Sequence, residues 1–309
     1  MRNMLRYMLG RTLQALLLLL GVSLITFSLL YVLPADPARQ IAGRSATAET
    51  VASIRQQLGL DLPFHQQYGR YVLGLAQGDL GRSYAQKTEV AEVIGSRLGA
   101  TLLLMAAAIV CELVIGLGIG LVASARPGGR ADETLMLMSF VGVSTPQFVA
   151  SLAMLYAFAV ALDWFPVGGY GEFKHVVLPA LTLGLLGAGW YARMLRSSLI
   201  EVLTQDYIRT ARAKGASALR VLLRHALRNA LLPVVAMVGI DVGLLMSGAV
   251  VVESVFGWPG IGQLAWQATQ QVDIPIIMGV TLVAACAIIL GNLLADLVAP
   301  LIDPRIRLR

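Results

Sequence analysis

Charge, cysteine and histidine are all scarce in this chain. Of its 309 residues 14% are charged, two are cysteine and three are histidine, while 57% are hydrophobic. Cys111 and Cys286 both sit inside apolar runs, which excludes a disulfide framework. His65, His175 and His225 are scattered, and no Cys or His pair has metal-ligand spacing, so no metal and no other cofactor is expected in the chain itself. The phosphate-binding pattern GxxxxGK followed by Ser or Thr is missing, which removes one route to ATP hydrolysis. Neither HExxH nor GxSxG occurs, so an intramembrane metalloprotease or serine hydrolase is not supported.

What is present is oil in long runs. Leu13 to Leu33 carries no charge, enough to cross a hydrocarbon core about 30 Å thick. Arg2, Arg6 and Arg11 precede it, but the run is too long for a signal-peptide core and further spans follow, so it reads as a retained first span. The next spans are Leu98 to Ala125, interrupted by Glu112; Thr134 to Leu162, kinked at Pro146; and Val176 to Ala192. Ala230 to Val252, broken by Asp241, and Ile274 to Ala295 complete six. The expected fold class is an all-α polytopic membrane protein, one transmembrane domain over 1–309. Residues 34–97 form a small helical insertion between spans 1 and 2, too short for a large core of its own. Within it Val51, Ile54 and Leu58 share one helical face, and Phe64, Tyr68, Tyr71, Val72 and Leu75 share another.

The net charge of +6 does not point to nucleic acid, because the basic residues lie between apolar spans. Comparing short internal loops, ten Lys and Arg fall on the side of the N-terminus against one on the other. The positive-inside rule then puts both termini in the cytoplasm and the 34–97 insertion outside.

Eight of the basic residues fall in 193–229, and this stretch does not read as a floppy loop. The segment 201–229 has helix formers up to Lys214, then Gly215, which can end a helix in a left-handed turn, then Ser217 as an N-cap. In the second helix Leu219, Leu223, Leu227 and Ala230 share a face, while Arg220, Arg224 and Arg228 share another. The result is a helix–glycine–helix elbow pinned between the fourth and fifth spans.

The order TARAKG (Thr210 to Gly215) followed by RHALRNALLP (Arg224 to Pro233) resembles the cytoplasmic coupling loop of permease subunits of ATP-binding-cassette importers. Arg209 and Thr210 stand where other branches have Glu and Ala, and Pro233 lies further from Gly215 than in sugar importers. Both departures are typical of the branch that imports dipeptides, oligopeptides and nickel. PADPA (34–38), GDLGRSY (78–84), VFGWPGIG (255–262) and DPRIR (303–307) are similar to words of that branch, so the resemblance covers nearly the whole chain.

The resemblance implies the type I importer permease fold, in the inner membrane of a bacterium. It implies a second homologous permease, two ATPase subunits holding ATP and Mg, and an extracytoplasmic binding protein that selects the substrate. Short peptides are the expected cargo, with glutathione or chelated nickel as rivals. The coupling contact is implied at Arg209, Thr210, Ala211, Arg212, Ala213, Lys214, Gly215 and Ala216. The chain itself is not expected to be an enzyme.

For the translocation path, ionisable residues inside spans are the default suspects. Asp241 faces either a water-filled cavity that meets a substrate cation or a structural partner. Gly239 and Gly243 around it form a small-xxx-small pair that more often marks helix packing. Glu112 reads more as a structural group. Glu253 lies at the outer mouth, and Pro146 is a hinge or an ordinary kink. Trp164, Trp190, Trp258 and Trp266 read as interfacial or packing residues. A self-sufficient secondary transporter is the competing class; it predicts inverted repeats, and no convincing repeat is visible.

Overall fold

The computed structural model describes residues 2–32, 37–43 and 46–302. The start of PADPA and the DPRIR tail lie outside the described residues. Four helices are long and apolar enough to cross a membrane, at Gly10–Ser28, Val90–Ala125, Phe173–Leu203 and Ile274–Leu294. Two bent pairs bring the number to six if each counts as one span. Among the described residues the only extended pairing is an isolated bridge between Arg82 and Glu89.

In chain order, α1 (Arg2–Val32) is followed by three short helices, α2 (Pro37–Ala42), α3 (Ala48–Gln57) and α4 (Phe64–Ala76). Helix α4 runs alongside α1. The Phe27 ring meets Phe64, Tyr68 and Tyr71 at 5.4–5.6 Å, and Tyr68 Oη lies 3.0 Å from Ser23 Oγ. The aromatic face read from the sequence is therefore used, against the first span. The α3 face is covered only in part: Val51 and Ile54 are half-buried, and Leu58 is exposed.

Helix α5 (Val90–Ala125) and α8 (Phe173–Leu203) form the spine of the bundle. They approach closely because Gly116 and Gly120 carry no side chain: a Cβ there would sit 2.6 Å from Ala188 O and 2.7 Å from Ala192 O. Such small-residue contacts replace the hydrophobic effect, which drives little association within lipid. Both helices run beyond the sequence-read spans, α5 beginning at Val90 instead of Leu98 and α8 extending to Leu203 instead of Ala192. Arg193 and Arg196 are consequently part of a helix and not of a loop.

The third span departs most from expectation. Helix α6 (Arg130–Ser144) stops at Thr145, and α7 (Gln147–Met154) leaves at 103°, continuing as a π-helix over Leu155–Ala161. Pro146 makes a corner here. A kink leaves one helix bent, whereas here the missing amide and the extended residue before proline end one helix and start another. After the elbow, α12 (Leu232–Gly248), α13 (Val250–Val255), α14 (Ile261–Gln271) and α15 (Ile274–Ile302) close the bundle, with α12 packed along α15.

Candidate functional site

The elbow lies between the last turn of α8 and the start of α12. Its first helix, α9 (Asp206–Ala213), ends at Gly215, which adopts φ +81°, a left-handed conformation that a side chain resists. Ser217 Oγ accepts from Arg220 N at 3.4 Å and starts the second helix, Ala218–Ala230, which runs through α10 (Ala218–Arg220), a π-helical stretch and α11 (Leu227–Ala230). Both turn residues thus do locally what their chemistry favours.

What holds the elbow in place is a residue the sequence reading did not single out. Ile208 is wholly buried among Tyr191, Leu195 and Leu199 of α8 and Val221, Ala226 and Ala230 of the second helix, with Ala211 and Ala216 packed against them. Asn229 Nδ2 donates to Tyr207 Oη at 2.7 Å, tying the two arms together. The opposite side of α9 is open: Arg209, Thr210, Arg212, Ala213, Lys214 and Gly215 are all exposed. Arg209 stands 3.5 Å from Asp206, an exposed i,i+3 pair that contributes little.

The buried face of the second helix matches the expected one only in its second half, where Leu227 and Ala230 pack inward. Val221, Ala226 and Ala230 are buried, whereas Leu219 and Leu223 are exposed. The cause is a π-helical stretch, Val221–Ala226, whose wider turn shifts the register so that residues five apart come to the same side.

The suspected path residues fall into two separate places. Glu112 on α5 is 2% exposed and lies against the Asp241 carboxyl of α12, which accepts a 2.8 Å hydrogen bond from Tyr191 Oη of α8. Gly187 makes room for Glu112: a side chain at 187 would fall on the carboxyl. Asp241 is half-buried, and Glu112 is enclosed by this chain's own helices. Glu253 is elsewhere, at the end of the bundle away from the elbow. Its carboxylate accepts from Thr101 Oγ1 at 2.9 Å and from Gln263 N at 2.8 Å. Burial pushes its carboxyl above the usual carboxylate range, and these hydrogen bonds oppose the shift. Trp258 is buried beside it and donates to Ala100 O at 2.9 Å, so this tryptophan is a packing residue. Pro146 stands at its own corner, apart from both.

Three further polar contacts were not anticipated. Asp273 accepts from Ser83 Oγ at 2.5 Å, Ala85 N at 3.1 Å and Tyr84 N at 3.2 Å, docking the 78–84 word onto the start of α15. Burial and the nearby Asp273 charge push the Tyr84 phenol up to about 12. Asp132 of α6 accepts from Arg196 Nε at 2.5 Å, from Arg196 Nη2 at 2.6 Å and from Gly128 N at 2.8 Å. Arg193 lies 4.5 Å from the Trp190 ring centroid, so Trp190 is a cation–π partner.

A helical bundle with four to six candidate membrane spans and an exposed elbow between α8 and α12 has the outline of a membrane transport subunit. Comparison with known proteins makes the class specific. Residues 116–308 match the family described as binding-protein-dependent transport system inner membrane component, and residues 4–105 match its N-terminal counterpart. The chain belongs to this family: it is an inner-membrane permease subunit of a binding-protein-dependent ABC importer, and it works with an ATPase and a substrate-binding protein.

It is 41% identical over 304 residues to the glutathione transport system permease protein GsiC of Salmonella paratyphi A, covering 98% of this chain and 99% of that protein. The GsiC of Escherichia coli (strain K12) is 40% identical over the same length. In fold it resembles the inward-facing MetNI methionine ABC transporter, with a TM-score of 0.59 at 20% identity over 68% of this chain and 96% of that one.

Proposed function

We propose that this permease, paired with a second homologous permease, forms the path for short peptides of the glutathione class, and that the elbow is where two ATPase subunits take hold. The full-length similarity to glutathione permeases supports the cargo. The binding protein makes the choice among peptides, and chelated nickel is the rival cargo. ATP and Mg bind on the partner subunits, and this chain makes and breaks no covalent bond. Both termini face the cytoplasm, on the side of the elbow.

The observation that carries the coupling role is the two-sidedness of α9. Ile208 fixes it to the bundle, while Arg209, Thr210, Arg212, Ala213, Lys214 and Gly215 face outward with Ala211 and Ala216 at the seam. Small residues allow close approach by a partner, and the three cations suit an acidic cleft. A rigid lever transmits a push that a flexible loop absorbs, and alternating access needs such a bias between two packings. Asp241, half-buried on the helix that follows the elbow, is the residue of this chain best placed to meet a substrate ammonium group; Glu112 behind it positions it.

Gly215→Val in the complete transporter, reconstituted in proteoliposomes, tests this. The bundle should assemble and ATP should be hydrolysed, but uptake of radiolabelled glutathione should fall sharply. Normal uptake by that variant overturns the coupling assignment. A wild-type complex that carries other tripeptides but not glutathione overturns the cargo alone.

A further inference from the structure

Helix α8 ends in the elbow and runs beside α6 for much of its length. Along the middle of that contact the two helices meet through Gly189 against Ser139 O and Val143, and through Gly142 against Leu185 O, a close approach made by packing alone. Near the elbow the contact changes character. Arg196, seven residues or about 10 Å before Leu203, makes two charge-assisted hydrogen bonds to Asp132 in the first turn of α6. Asp132 is 2% exposed and also accepts from Gly128 N, so the turn joining α5 to α6 is gathered into the same knot. The helix α6 dipole favours an anion in that first turn as well.

At its far end α6 meets the 103° corner at Thr145–Pro146 and hands over to α7. A displacement of the elbow therefore has a defined route into the bundle: along α8, across one bidentate ion pair, and along α6 to the proline corner.

We infer that Asp132 and Arg196 are the link through which movement of the elbow reaches the α6–Pro146–α7 arm, a positioning pair for transport. The inference rests on the elbow being the ATPase handle. With the pair intact, α6 and α8 move together; with it cut, α8 slides past α6 and ATP is consumed without cargo.

The test uses the complete transporter in proteoliposomes, reading binding-protein-stimulated ATP hydrolysis and glutathione uptake on the same preparation. Asp132→Asn should assemble and retain at least about half of the stimulated hydrolysis, while the ATP used per glutathione rises about tenfold or more, the range of typical coupling free energies between sites. A second variant, Asp132→Cys with Arg196→Cys and with Cys111 and Cys286 replaced by Ser, restores the link chemically. Bridged by a short bis-methanethiosulfonate reagent it should regain a ratio near that of the wild type, and reduction of the bridge should lose it.

A wild-type ratio for Asp132→Asn overturns the link, as does a bridge that restores nothing. Uptake and hydrolysis falling together with the amount of assembled complex marks a merely structural role and overturns it too. Gly215→Val run in parallel separates the two claims. If that variant stays coupled, the elbow reading fails and takes the link with it; if it uncouples while Asp132→Asn does not, the link alone fails.

Discussion

The Glu253 carboxylate occupies the space that a side chain on Gly260 would need. A Cβ at 260 would fall directly on it, and Gly262 is hemmed in by the same carboxylate at 2.9 Å. Glu253 cannot retreat, because Thr101 and Gln263 N hold its two oxygens and the residue is wholly buried. Gly260 and Gly262 of VFGWPGIG are thus fitted around one acid, whereas Gly257 takes a left-handed conformation at φ +61°.

Gly260→Ala should therefore destabilise the outer end of the bundle by more than an ordinary overpacking change of about 1–3 kcal/mol. In detergent the variant complex should show a melting midpoint several degrees lower. Glu253→Ala alone should be harmful, since it strands the Gln263 amide; adding it to Gly260→Ala should recover part of the loss. Additive losses in the double variant would show that the two residues do not compete for the same space.

Much of this was legible in the sequence, and the limits have physical causes. The elbow could be read because helix formers, a left-handed glycine and a serine cap act over a few residues. Its anchor could not: Ile208 is a lone apolar residue among charges, and its burial depends on α8 and on Val221 behind it. Leu219 and Leu223 do not pack inward because a π-helical turn over Val221–Ala226 breaks the 3.6-residue period on which such faces are counted. Hydropathy ends the fourth span near Ala192, and only the extended α8 brings Arg196 to Asp132. Pro146 was legible as a disruption; its conversion into a corner depends on where α6 and α7 each find partners.

Asp273 docks the segment after α4 by accepting from Ser83 Oγ and from the amides of Tyr84 and Ala85. Hydrogen bonds to a charged group are worth about 1.5–3 kcal/mol, so Asp273→Ala should raise opening of this segment by about ten- to a hundredfold. Lys87, exposed and in a positive-φ conformation, offers trypsin a site there. Cleavage after Lys87 should accelerate by a similar factor in the variant. An unchanged rate would mean that the docking contributes nothing to local stability.

Gly187 and Glu112 make a second pair of the same kind as Gly260 and Glu253, in the middle of the bundle. Gly187→Ala should push Glu112 away from the Asp241–Tyr191 contact, at a cost of about 1–3 kcal/mol. Thermal unfolding of the complex should detect it, and Glu112→Ala should partly rescue the variant. If Asp241 meets the substrate ammonium, Asp241→Asn should lower uptake of glutathione while leaving the melting midpoint nearly unchanged, whereas Gly187→Ala should lower both.

Ile208 separates holding the elbow from presenting it. The side chain is fully buried in the cluster formed with α8 and the second helix, so its removal deletes none of the exposed cations. Ile208→Ala leaves a cavity worth about 2–5 kcal/mol in a well-packed interior. That is enough to loosen α9 from Leu195 and Leu199 while the long spans stay inserted. The ATPase should still bind, because Arg209, Arg212 and Lys214 remain, but its movement should be lost in the slack joint. Co-purification of the ATPase should stay close to wild type, stimulated hydrolysis should persist, and glutathione uptake should drop. Ile208→Val, which removes a single methylene and costs about 0.5–1.5 kcal/mol, should fall between the two. Loss of ATPase co-purification in Ile208→Ala would instead mean that α9 docks only when its inner face is packed, and that anchor and handle are one unit.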